Sequence, residues 1–199
     1  MSIEFALVTQ KGVICHMYNK SKNNQVIYSL NTLSDSLIKL LETDNLNDIT
    51  ITEICNSTNL SRKTFYRNCE SKIDLLVYKI DLLINNLQTE TDWFSSDERK
   101  LYTNFFNYWY KHKQFLSILE KNNLFYLFIE HFNKIIQQAS YPFLDTLLEN
   151  AENKYEIKLY YNTFLVGGLS HVLEQWTKNC FKISIDSLVN ILCVLTPNH

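Results

Sequence analysis

Residues 49–76, ITITEICNSTNLSRKTFYRNCESKIDLL, contain three helix starts in close succession. Thr50 followed by Glu53 is a capping box, in which each side chain satisfies a backbone N–H that the first helical turn leaves free. Ile49 and Ile54 stand at the positions of a hydrophobic staple around that cap. Ser61 is a second N-cap, with Leu60 and Phe65 as its staple, and Ser71 is a third. The helix opening at Ile51 ends near Ser57, and Asn59 supplies the turn. One helix of only two turns, held between caps, has the dimensions of a helix-turn-helix.

Outward from this stretch the pattern stays helical. Upstream, Leu30, Leu33, Leu37, Leu40 and Leu41 form one apolar stripe that predicts a helix ending near Thr43, with Asn45 in a left-handed conformation. Downstream, Leu75, Leu76, Ile80 and Leu83 continue the helix that Ser71 opens. Further helices are expected over 96–111, 113–120, 124–139, 143–152, 155–178 and 184–195. Only 3 Gly and 2 Pro occur in 199 residues of which 46% are apolar, which favours helices over a sandwich or doubly wound sheet.

On the short helix, Phe65 and Cys69 share one face at i and i+4. Arg62, Lys63, Tyr66 and Arg67 share the other. Residues 61–72 carry Arg62, Lys63, Arg67 and Lys72 against Glu70 alone, although the whole chain has a net charge of −2. Such a face suits a major groove, where Arg and Lys donate to guanine edges. Ser61, Thr64, Tyr66 and the N–H groups at the helix start are placed to hold phosphates.

Composition removes other classes. The five cysteines, Cys15, Cys55, Cys69, Cys180 and Cys193, are scattered and odd in number. They read as reduced thiols of a cytoplasmic protein, not as a disulfide framework or zinc knuckle. No apolar run approaches the ~18 residues of a membrane span. The chain shows no nucleophile–His–acid set, no paired carboxylates and no phosphate-cradling Gly loop, so neither an enzyme nor a resident cofactor is expected. Residues 1–24 are read as a disordered leader, with His16-Met17 as a possible cloning junction and Met17 as the native start. Residues 25–72 are read as the DNA-binding domain and 73–199 as a second helical domain.

The segment from Ser36 to Leu76 resembles the N-terminal DNA-binding region of the bacterial TetR/AcrR family. There an ALxLL helix leads to IT(V/I)xxIAxxAGVSxxTFYxHFxSKxxLL, and the TFY and SK elements fall here at the matching separation. The resemblance implies phosphate contacts from Thr50 and Lys72. It places Arg62, Lys63 and Thr64 at the start of a recognition helix, and Tyr66 on the DNA backbone or a thymine methyl. Cys55 replaces the usual Ala, Asn59 the turn Gly, and Asn68-Cys69 the pair His-Phe. The loss of that Phe removes ~1–2 kcal/mol of anchoring by area.

The same resemblance implies a C-terminal domain that makes a homodimer and encloses a small-molecule effector. Residues 109–136 and 164–192 are similar to the middle and last two helices of such domains in low-GC Gram-positive regulators. Trp109, Phe125, Phe128, His131, Phe132, Tyr161, Phe164 and His171 are the candidate effector pocket, with the histidines as polar groups in an apolar cavity. The helix 155–178 is apolar on several faces and must be covered on several sides. Leu165, Leu169, Val172 and Trp176, with Ile185, Leu188, Val189 and Leu192, are the candidate dimer interface. The implied function is a repressor that leaves its operator when an effector binds. The alternatives are an activator or co-regulator working with a partner protein, or a metal sensor using His112, Glu130, His131, His171 or Glu174. No metal site is assigned.

Overall fold

The computed structural model describes residues 24–91, 95, 97–137, 148, 149 and 151–195. Among these there are nine helices and no strand: α1 Asn24–Leu40, α2 Ile51–Asn56, α3 Arg62–Asn68, α4 Lys72–Glu90, α5 Glu98–Lys111, α6 Lys113–Lys121, α7 Phe125–Gln137, α8 Lys154–Lys178 and α9 Ile185–Leu195. The expected all-helical class is what the chain adopts. The helix expected over 143–152 lies largely outside the described residues, as does the leader up to residue 23.

The chain divides into two compact units, 1–79 and 80–199, and the division falls inside α4 rather than before it. The physical reason lies in the first two turns of α4, which are tied back to α1. The Tyr78 hydroxyl donates to Asn31 Oδ1 at 3.0 Å, and Lys79 Nζ pairs with Asp35 Oδ1 at 2.8 Å.

In the first unit α1, α2 and α3 pack on one another. Their core is Leu30, Leu33, Leu37, Leu41, Ile49, Ile54, Phe65, Leu75 and Leu76, all at most 3% exposed. Helix α1 ends at Leu40, earlier than expected, and turns close the chain behind it. Asn45 does not take the left-handed conformation; its carbonyl instead accepts from the N–H groups of Asp48 and Ile49.

In the second unit α8 packs against α7 and α6, and α9 against α5. The interior is aromatic. Phe105, Phe106, Tyr108, Trp109, Phe128 and Phe132 are at most 1% exposed. Two helices here end in Schellman turns without glycine. After α6, Asn123 takes φ 55° and Leu124 N–H reaches Leu119 O at 2.7 Å. After α8, Cys180 and Phe181 take φ 53° and 56°, and Phe181 N–H reaches Trp176 O at 2.9 Å.

Candidate nucleic-acid interface

The start of α2 has the reciprocal cap that the sequence predicts. Thr50 Oγ1 accepts from Glu53 N–H at 3.2 Å, while Glu53 Oε2 accepts from Thr50 N–H at 2.7 Å. The Thr50 backbone N–H and hydroxyl together hold the Glu53 carboxyl below the usual carboxylate range, with Lys72 adding a smaller pull. Asn59 takes φ 57°, the left-handed turn that Asn tolerates without a glycine. Ser61 then caps α3, accepting from Thr64 N–H at 3.1 Å.

Because α3 is fixed at both ends, its two faces are unambiguous. Phe65 is fully buried, and Cys69 closes the helix with its N–H on Phe65 O at 2.8 Å. Burial also pushes the Cys55 thiol up, so the residue behaves as a small protonated hydrophobe. On the other face Arg62, Lys63, Tyr66 and Arg67 are exposed, and Ser61 and Thr50 are exposed as well, with Thr64 half-buried. The Arg62 guanidinium lies 6.0 Å from the Tyr66 ring centroid, which restrains it by cation–π attraction.

Two expected details are different. The third cap is not shown as a serine hydroxyl: the carboxylate of Asp74 accepts from the N–H groups of Glu70 and Ser71 at 2.7 and 2.9 Å. Lys72 does not simply project toward solvent. Its ammonium donates to the carbonyls of Leu46 and Ile49, clamping the loop before α2. A lysine near a helix start reads as a free cation in sequence, and only the fold shows which carbonyls it meets.

The residues nominated for the effector pocket do not share one environment. Trp109, Phe125, Phe128, His131 and Phe132 are buried together. Trp109 meets Phe128 edge-on at 4.8 Å, and Phe128 stacks on Phe132 at 5.5 Å. His131 Nδ1 lies 2.7 Å from Asp81 Oδ1, a pairing that sequence distance concealed. Tyr161 is half-buried, its hydroxyl pushed up by burial and then by Tyr102 and Glu98. Phe164 is 71% exposed and His171 is exposed, with its Nδ1 on Gly167 O at 2.7 Å. These two stand on the outer face of α8 and leave the candidate pocket. Among the described residues no group of three His, Cys, Asp or Glu side chains is placed to hold a metal ion.

Most of the nominated dimer residues also move. Leu165, Leu169, Trp176, Leu188, Val189 and Leu192 are buried in the protomer's own core, and Val172 and Ile185 are half-buried. The exposed apolar side chains of the same helices are Tyr155, Ile157, Tyr160 and Phe164 on α8, and Ile191, Val194 and Leu195 on α9. Periodicity identified apolar helices but not which of their faces the protomer itself covers.

One further feature escaped the sequence reading. A cleft of about 480 Å³ opens beside the α8–α9 turn, lined among others by Tyr110, Trp176, Phe181, Lys182, Ser184 and Asp186. Its floor is ordered by Trp176 Nε1, which donates to Ile183 O at 3.0 Å, and by Tyr110 stacked on Trp176 at 5.6 Å. The residue run WTKNCFKIS signals a helix break but not the left-handed pair that shapes the wall.

Residues 97–198, just over half of the chain, match the TetR family profile described as a transcriptional regulator C-terminal region. The chain belongs to the TetR family of transcriptional regulators. This TetR-family protein matches no curated protein. The profile covers α5 to α9 and does not reach α1 to α4. DNA binding, and usually dimerisation, are properties of the family as a whole. No helix among the described residues is long and apolar enough to cross a membrane.

Proposed function

We propose that this TetR-family regulator is a cytoplasmic homodimer that represses transcription by holding double-stranded operator DNA with α3, and that a small-molecule effector releases it. The observation that carries the reading is the exposed face of α3. A capped two-turn helix with its apolar side buried presents Arg62, Lys63, Tyr66 and Arg67 together. Base edges would be read by Arg62 and Lys63, with Tyr66 and Arg67 on the backbone or adjacent bases. Thr50, Ser61 and Thr64 border this face and would serve the phosphates. Lys72 contributes by fixing the loop before α2, and through its remaining N–H to a phosphate.

For the dimer, the reading is supported by Ile157, Tyr160, Phe164, Gly168 and His171, which recur on one face of α8. A β-carbon at Gly167 or Gly168 would meet no atom of the described residues within 4 Å. Two mid-helix glycines cost roughly 1 kcal/mol each, and packing among the described residues does not require them. A partner helix approaching closely would.

For the effector, support comes from Trp109 Nε1 and Asn162 Oδ1. Both are buried and find no hydrogen-bond partner among the described residues. Buried polar groups in native proteins are nearly always satisfied, and a bound ligand is one way to satisfy them.

Footprinting on the DNA beside the protein's own gene tests the proposal. Two protected major-groove segments about 34–36 Å apart, or a multiple of that, are expected of a two-fold dimer. Absence of protection on any DNA selected from a random pool contradicts it.

A further inference from the structure

We infer that the cleft beside the α8–α9 turn is a second small-molecule site, whose ligand is an aromatic amino acid or a molecule of that kind. Such a ligand has a flat ring and carries both an ammonium and a carboxylate. The cleft shares no residue with α3 or with the buried cluster around Trp109 and Phe128, so the inference goes beyond the regulator reading and does not rest on it. At about 480 Å³ it has the size of a small-molecule site. Its lining comes from α5, the end of α8, the turn and the first two residues of α9.

The wall of the cleft is fixed before any ligand arrives. Phe181 N–H donates to Trp176 O at 2.9 Å and Cys180 N–H to Thr177 O at 2.8 Å, while Trp176 Nε1 donates to Ile183 O at 3.0 Å. Cys180 and Phe181 both take the left-handed backbone that a bulky side chain rarely adopts. That backbone sets the Phe181 ring edge-on to Trp176 at 4.9 Å and to Tyr110 at 5.8 Å. Trp176 is itself buried against Phe106, so the rings open to the cleft are those of Tyr110 and Phe181. Tyr110 and Ile183 are among the large apolar residues left exposed, and neither belongs to the exposed apolar faces of α8 and α9. A rigid apolar wall of this kind receives a flat ring with little loss of freedom.

The charges of the cleft have opposite signs and do not meet. The Lys182 ammonium and the Asp186 carboxylate both line it, and neither side chain makes an ion pair or hydrogen bond among the described residues. The Lys113 ammonium lies 4.6 Å from the centroid of the Tyr110 ring and is engaged there, so Lys182 is the cation that the cleft itself offers. A ligand with a single charge would be attracted by one of the two groups and repelled by the other. A ligand with both charges answers both. Lys182 then takes the carboxylate and Asp186 the ammonium, with the ring against Tyr110 and Phe181.

The experiment titrates the full chain with L-phenylalanine, L-tyrosine and L-tryptophan by calorimetry. Each is compared with the amine that lacks its carboxylate and the acid that lacks its ammonium. Saturable binding of at least one amino acid is expected, with both single-charge analogues weaker by about three-fold or more. Tyr110→Ala is expected to weaken binding about ten-fold. Lys182→Met and Asp186→Asn should each weaken it about three-fold or more. All three side chains are exposed, and melting temperatures recorded in parallel show that the variants are folded. The inference is overturned if no amino acid saturates by about 10 mM. It is equally overturned if a single-charge analogue binds as tightly as its parent. Wild-type binding in Tyr110→Ala, or in both charge variants, would place the ligand elsewhere and overturn it too. Should Tyr110→Ala not fold, the two charge variants decide the matter.

Discussion

Helices α3 and α8 differ in what they leave facing water. Helix α3 buries Phe65 and exposes charged and aromatic-polar side chains, so its free surface is already comfortable in solvent and gains by meeting phosphates and base edges. Helix α8 buries Leu165, Leu169, Leu173 and Trp176 and still exposes Tyr155, Ile157, Tyr160 and Phe164. Scattered exposed apolar residues are ordinary, but Ile157, Tyr160 and Phe164 recur on one face of α8, with Tyr155 on another. In the proposed reading the first helix is a finished reading head, whereas the second is half of an interface. The contrast teaches that a polar face and an apolar face can both be functional, one through charge and the other through what must cover it.

Substitutions on adjacent residues sharpen this contrast. Phe65→Ala is expected to cost ~3–5 kcal/mol and to melt the first unit, as seen by calorimetry. Its neighbour Tyr66→Ala should leave stability within about 0.5 kcal/mol and weaken DNA binding. Equal melting of the two variants would break the assignment of the faces.

On α8 the matching pair is Leu165 and Phe164. Leu165→Ala should destabilise the protomer by about 2–5 kcal/mol. Phe164→Ser should leave the protomer folded and weaken self-association by about 2 kcal/mol or more if it is an interface anchor, read by sedimentation equilibrium. Unchanged association in Phe164→Ser would place the interface elsewhere.

Lys72 tests the border between structure and DNA contact. Lys72→Met leaves the carbonyls of Leu46 and Ile49 without their charged donor, at an expected cost of roughly 1.5–3 kcal/mol in thermal unfolding. A variant with wild-type stability and a flatter salt dependence of DNA binding would show that phosphate contact is its main role.

The smallest effects lie at the α2 cap. Thr50→Ala should cost ~0.5–2 kcal/mol. The Glu53 carboxyl is depressed on folding, first by the Thr50 backbone N–H and then by its hydroxyl. Its contribution is therefore present above its unfolded pKa and fades as pH falls through the lower, folded value. Wild type and Glu53→Gln should differ in melting temperature at neutral pH and converge in acid once the pH lies below that folded value.

The helix-turn-helix was legible because caps are local chemistry. Thr50 with Glu53, Ser61 with Thr64 and the turn at Asn59 each involve residues three or fewer apart, so type and spacing nearly determine geometry. The interior of the second unit was not legible in that way. Helix α8 is apolar on several sides, so its spacing could not separate Leu165 in the core from Phe164 in solvent. His131 could not be matched with Asp81 from 50 residues away, and Phe181 gave no sign of a left-handed backbone. Local rules stop where long-range packing chooses among equivalent faces.

The central claim is that α3 reads base sequence, and the discrimination of Arg62→Ala between its selected operator and a scrambled duplex tests it most directly. At fixed salt, with unfolding measured alongside, the variant should keep wild-type stability and lose roughly 1–3 kcal/mol of discrimination, about ten-fold or more in the affinity ratio. Wild-type discrimination in a fully folded Arg62→Ala would contradict the role given to Arg62. If Lys63→Ala and Arg67→Ala also kept it, α3 would not be the reading helix.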